Sequence, residues 1–107
     1  MFELTKNKEK GTFHFVLKAA NGQVILTSET YESKMSALNG IASVQKNCAD
    51  DTKFERKTSR NGKFFFNLKA KNGKIIGSSQ LYVGESGLQN GIVSVQKHAV
   101  DAETKEL

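Results

Sequence analysis

The chain of 107 residues has no proline, no tryptophan, one cysteine and two histidines, and each shortage removes a class of chemistry. With Cys48 alone there is no internal disulfide, and no metal site made of several cysteines can form within the chain. His14 is expected on a strand and His98 near a helix end, at non-equivalent places of the repeat described below, so they assemble neither a triad nor a ligand cluster. No H-E-x-x-H, Walker-type glycine loop, G-x-S-x-G or dinucleotide-binding glycine pattern occurs, which disfavours the familiar motif-bearing enzymes. Apolar runs stay far below the roughly 20 residues of a membrane-spanning helix, and the opening residues lack the apolar segment of a signal peptide. The expectation is a small, soluble, cytoplasmic and non-enzymatic domain with no cofactor, no metal site and no membrane partner. An apolar fraction of 37% and a negative mean hydropathy point to a modest core under much solvated surface.

What the chain does contain is itself, twice. The run from Ser33 to Cys48, S-K-M-S-A-L-N-G-I-A-S-V-Q-K-N-C, is restated from Gly84 to Ala99 as G-E-S-G-L-Q-N-G-I-V-S-V-Q-K-H-A. Asn21-Gly22 recurs as Asn72-Gly73 at an offset of 51 residues, which holds without a gap from Phe13 and Phe64 through Asp50 and Asp101. About half of those positions are identical, so this is an internal duplication. Repeat one covers 1–51 and repeat two 52–107, in a single domain over 1–107.

Each repeat reads strand, strand, strand, helix. A short strand over 2–6, and over 54–59 in repeat two, precedes the strongest signal, in which Phe13, Phe15, Leu17 and Ala19, like Phe64, Phe66, Leu68 and Ala70, alternate with other residues and aim one side at a core. The Asn-Gly pairs predict a two-residue type I′ turn, with positive φ at both positions, placing Val24 opposite Ala19 and Leu26 opposite Leu17. Ser33 is an N-cap for a helix over 34–49, whereas Gly84 is a poorer one. Ala37, Ile41, Val44 and Cys48, and Leu88, Ile92, Val95 and Ala99, form one buried stripe per helix. Gly40 and Gly91 lie on those stripes and predict close approach to a Phe of the sheet. The segment near Phe54 is expected to serve both repeats as a shared strand, and 104–107 to form a short closing strand.

The patterns F-x-F-x-L-K-A-x-N-G (Phe13 to Gly22, Phe64 to Gly73), S-x-x-Y (Ser28 and Tyr31, Ser79 and Tyr82) and N-G-I-x-S-V-Q-K resemble those of the YegP family of small, mostly bacterial proteins, over essentially the whole chain. The resemblance implies an α+β fold in which two three-strand-plus-helix units form one antiparallel sheet with both helices on one face, related by a pseudo-twofold. It implies no activity and no site residues.

Function is therefore sought in the surface. Alternation assigns His14, Val16, Lys18, Ile25 and Thr27, with Phe65, Asn67, Lys69, Ile76 and Ser78, to the sheet face that helices leave open. Lys53, Arg56, Lys57, Arg60, Lys63, Lys69, Lys71 and Lys74 cluster with Glu55 as the only acid among them, within a net charge of +5. The candidate binding surface is Arg56, Lys57, Arg60, Lys63, Phe65, Lys69, Lys18 and His14. The reading is a binding or interaction module using this face, monomeric or self-associating. The alternative is single-stranded nucleic-acid binding, in which lysines meet phosphates and Phe65 stacks on a base. Cys48, matched by Ala99, is read as a core filler, Tyr31 and Tyr82 as packed with satisfied hydroxyls, and His98 as a group favoured by a helix C-terminus.

Overall fold

Two rows of alternating Phe and Leu dictate the architecture, because each row must be covered and a unit of about fifty residues has too little interior to cover it alone. The computed structural model describes residues 1–107. The order is β1 (Phe2–Asn7), β2 (Thr12–Lys18), β3 (Val24–Ser28), α1 (Lys34–Asn47), a 3-10 turn (Asp51–Lys53), β4 (Phe54–Thr58), β5 (Phe64–Lys69), β6 (Ile75–Ser78), α2 (Glu85–Ala99) and β7 (Thr104–Glu106). All seven strands form one sheet in the order β4-β5-β6-β3-β2-β1-β7. Its seam is β3 against β6, where Thr27 pairs with Ser78, its own counterpart in the duplication, so the pseudo-twofold runs through that pair.

Phe2, Leu4, Phe15, Leu17, Leu26, Phe54, Phe66 and Leu68 turn to one side of the sheet and pack with the stripes of both helices in one buried cluster. The helices exchange sides: α2 rests on β5 of its own repeat and on β2 and β3 of the other, while α1 rests on β2 and reaches β6. Gln45 and Gln96 tie this exchange. Gln45 Nε2 donates to the carbonyls of Ala99, the last residue of α2, and of Ala102 beyond it, at 3.0 and 3.2 Å, and Gln96 Nε2 donates to Asp51 beyond α1, at 2.6 Å. The two residues were legible in the sequence only as repeated letters.

Four expectations are corrected in detail. The sheet has one parallel pair, β1 with β7, because the chain leaving α2 arrives at the outer edge of repeat one running alongside β1. The segment after Phe54 is not shared, since β4 pairs with β5 alone. The Asn-Gly turns have positive φ only at Gly22 (83°) and Gly73 (84°). They are three-residue loops, with Gly22 N–H donating to Ala19 and Ala19 N–H to Gln23, each at 2.9 Å. The extra residue is absorbed by a bulge: Lys18 pairs with Val24, yet Leu17 still pairs with Leu26, and Ile25 is turned inward. Repeat two does the same with Lys69, Ile75, Leu68 and Gly77. Finally, Gly40 and Gly91 make room chiefly for the phenol groups of Tyr31 and Tyr82, a Phe15 ring carbon coming next, 3.0 Å from where a Cβ on Gly40 would sit.

Ser33 caps α1 as expected, its hydroxyl accepting from Ser36 N–H at 3.1 Å, whereas Gly84 offers α2 no side-chain cap. No helix is long and apolar enough to cross a membrane.

Candidate functional site: the open sheet face and its basic edge

Residues opposite one another in an antiparallel pair share a face, so the pairing assigns every strand side chain. The face away from the helices carries Glu3, His14, Val16, Lys18, Val24 and Thr27 in repeat one. In repeat two it carries Glu55, Lys57, Phe65, Asn67, Lys69, Ile75 and Ser78. Ile25 and Ile76 are not among them: they are 5% and 4% exposed in the core, and the bulges put Val24 and Ile75 on the open face in their place.

The duplication lays out matched pairs. Lys18 Nζ meets the Glu3 carboxylate at 3.0 Å, and Lys69 Nζ meets Glu55 at 2.9 Å. Around the second pair the open face is knitted together: Asn67 donates to Glu55 at 3.2 Å and accepts from Ser78 at 2.5 Å. The hydrogen bond from Lys69 and then that from Asn67 hold the Glu55 carboxyl below its ordinary range. Asn67 is nearly buried, and the equivalent place in repeat one is Val16. Two of the candidate cations, Lys18 and Lys69, are thus neutralised by carboxylates on the same face.

The other candidates separate. His14 and Phe65 occupy equivalent positions and are both half-buried on the open face. Lys57 shares it, paired with Phe65. Arg56 does not. It pairs with buried Phe66, so it points to the helix side, where its guanidinium donates to Gln89 of α2. Arg60 and Lys63 are exposed at the β4–β5 turn, which Ser59 N–H closes by donating to the Lys63 carbonyl at 2.7 Å. The candidates therefore form a face and a rim rather than one patch.

The remaining polar residues have structural partners. Ser28 Oγ accepts from Phe15 N–H at 2.8 Å and Ser79 Oγ from Phe66 N–H at 3.0 Å, so each hydroxyl pins its own repeat's Phe strand. Burial, and then the charge of Glu29, push the Tyr31 phenol up. Burial pushes the Cys48 thiol up as well, disfavouring the nucleophilic thiolate. His98 Nδ1 lies 2.8 Å from the Ser94 carbonyl one turn earlier on α2. No group of three or more His, Cys, Asp or Glu side chains is placed to hold a metal ion.

The family model described as a domain of unknown function, DUF1508, matches twice, over 9–55 and 59–106. UPF0339 protein YegP of Escherichia coli is 50% identical over 105 residues, covering 98% of this chain and 94% of that protein. UPF0339 protein PA0329 of Pseudomonas aeruginosa is 52% identical over 101 residues, covering 94% and 91%. Among solved structures, the solution NMR structure of Escherichia coli YegP superimposes with a TM-score of 0.92 over 98% of this chain and 90% of that one, at 50% identity. That of UPF0339 protein SO3888 from Shewanella oneidensis gives 0.93 over 99% and 89%, at 45% identity. Two matched domains, whole-length identity near one half and a shared sheet leave one assignment: the chain belongs to the YegP/UPF0339 family, as a tandem of two DUF1508 units.

Proposed function

We propose that this protein is a small interaction module that presents the open face of its sheet to another protein. The observation that carries this reading is the state of the lysines: Lys18 and Lys69 are occupied by Glu3 and Glu55 on the face itself. What the face then offers is Val16, Val24, Phe65 and Ile75 between short polar side chains, a mixture suited to a protein surface more than to a phosphate backbone. The test is recovery of cellular material bound to the purified protein at low and high salt, sorted into protein, nucleic acid and small molecule, with Phe65→Ser alongside. A protein retained at high salt and lost with Phe65→Ser supports the reading; material unaffected by Phe65→Ser refutes it.

A second reading rests on a different observation. Lys57, Arg60 and Lys63 have no carboxylate partner and line the end of the face where Phe65 lies, the ingredients of a single-strand platform. Binding of that kind weakens steeply as salt rises, and charge reversal of the three cations weakens every base sequence alike.

A further inference from the structure

The duplication treats its two outer strands differently. The outer edge of β1 is covered by the chain's own tail: Phe2 N–H donates to the Glu103 carbonyl at 2.8 Å, and Leu107 N–H to the Leu4 carbonyl at 2.9 Å. β7 thus runs parallel to β1, with Glu106 beside Leu4 on the helix side and its carboxylate 2.6 Å from Lys34 at the start of α1. Glu106 and Leu107 thereby close one side of a hollow lined by Leu4, Lys6, Phe13 and Lys34.

β4 is the counterpart of β1, and nothing lies beyond it. Phe54 N–H turns back to the Asp51 carbonyl and not to β5, so by alternation Phe54, Arg56 and Thr58 direct their main-chain groups outward. The counterpart of the tail's seat is an open hollow of about 250 Å³ lined by Arg56, Lys57, Thr58, Phe64, Glu85 and Leu88. Arg56 stands where β1 has Leu4, Phe64 where β2 has Phe13, and Glu85 where α1 has Lys34.

We propose that the free edge of β4 and this hollow take an extended acidic segment of a partner protein as an added strand parallel to β4. One acidic side chain meets Arg56 on the helix side, at the place that Glu106 takes beside Leu4 in repeat one, and the residue two places on, which alternation returns to that side, is apolar and lies against Phe64 and Leu88. Main-chain bonds to an open edge supply affinity and the side pockets supply selectivity. Charge selects the occupant: Glu85 opposes Arg56 and Lys57, but Arg60 and Lys63 at the adjoining turn leave the rim cationic. A second copy suits the edge poorly, since two antiparallel β4 strands bring Arg56 and Lys57 against like charges.

The test is two-dimensional amide NMR of the full chain titrated with the hexapeptide Thr-Glu-Thr-Val-Thr-Glu, whose glutamates and valine share one face of an extended strand. Saturable shifts at Arg56, Thr58 and Phe64, with slowed hydrogen exchange of the Arg56 amide, are expected. The double variant Arg56→Glu, Lys57→Glu weakens binding roughly tenfold or more. Thr58→Pro, which removes an outward N–H without touching charge, weakens it too, with thermal melts confirming that each variant folds. Phe65→Ser leaves this binding intact, which separates the edge from the open face. The proposal is overturned by the absence of saturation, by equal binding of a lysine-for-glutamate peptide, by shifts centred on Phe65 and Asn67, or by concentration-dependent shifts at Arg56 without peptide, the mark of a second copy.

Discussion

Repeat one and repeat two share a backbone plan and differ where a shared plan cannot serve both. At the seam, Leu26 is fully buried, and its counterpart is Gly77, where an added Cβ would lie 2.8 Å from the Thr27 carbonyl oxygen and 3.2 Å from Leu26 Cγ. Two leucines beside one pseudo-axis would claim the same space, so one copy yields. At the rims, β1 has Leu4 under the tail and β4 has Arg56 in the open. One segment, β7, covers the edge of β1, and the residue on the edge left uncovered is charged, as such edges usually are. Symmetry thus breaks at the axis and at the ends, and holds between.

The largest test of that pattern lies between, where the copies should behave alike. Phe15→Ala and Phe66→Ala each remove a fully buried ring and are expected to cost about 3–5 kcal/mol in chemical denaturation, in one cooperative transition. Two separate transitions would mean the halves have separate interiors. At the seam, Gly77→Ala is expected to cost about 1–3 kcal/mol, because the crowding atom is backbone and cannot swing aside. Adding Leu26→Ala should then cost less than the two single effects combined. Additivity would show that the two residues do not share space. At the helix starts, Ser33→Ala should cost about 1 kcal/mol by removing the cap on Ser36 N–H, while Gly84→Ser should gain a few tenths. Equal melting shifts of the same sign would contradict the difference in capping.

The smallest effect concerns Glu55 on the open face. Its carboxyl is held below the ordinary range by Lys69 and Asn67, so its contribution is present above the unfolded carboxylate pKa of about 4.3 and is lost as pH falls through the lower folded value. The gap in denaturation midpoint between the native chain and Glu55→Gln should therefore narrow from neutral pH towards strong acid. A gap independent of pH would place the contribution in packing instead of charge.

Much of this is legible in the sequence. The alternation of Phe15 and Leu17 named the core face, the offset between Asn21 and Asn72 named the duplication, and Ser33 named the start of α1. The bulge at Ile25 was not readable, since a two-residue turn and a three-residue turn with a bulge both bring Leu17 to Leu26. That ambiguity moved Ile25 and Ile76 from the open face to the core. The side of Arg56 is obscured for another reason: its place in a basic run masks the strand alternation that sets it apart from Lys57. The pairing of Lys69 with Glu55 crosses between strands, and a cluster counted along the chain does not register it.

Local spacing sufficed for which residues are strands, which are helices and which sides are apolar, because those properties repeat every two or 3.6 residues. Which helix lies over which strands, where the tail comes to rest and which lysines keep their charge unopposed depended on contacts between distant segments. Those contacts are chosen by the packing of one shared core, and no short window of residues contains them.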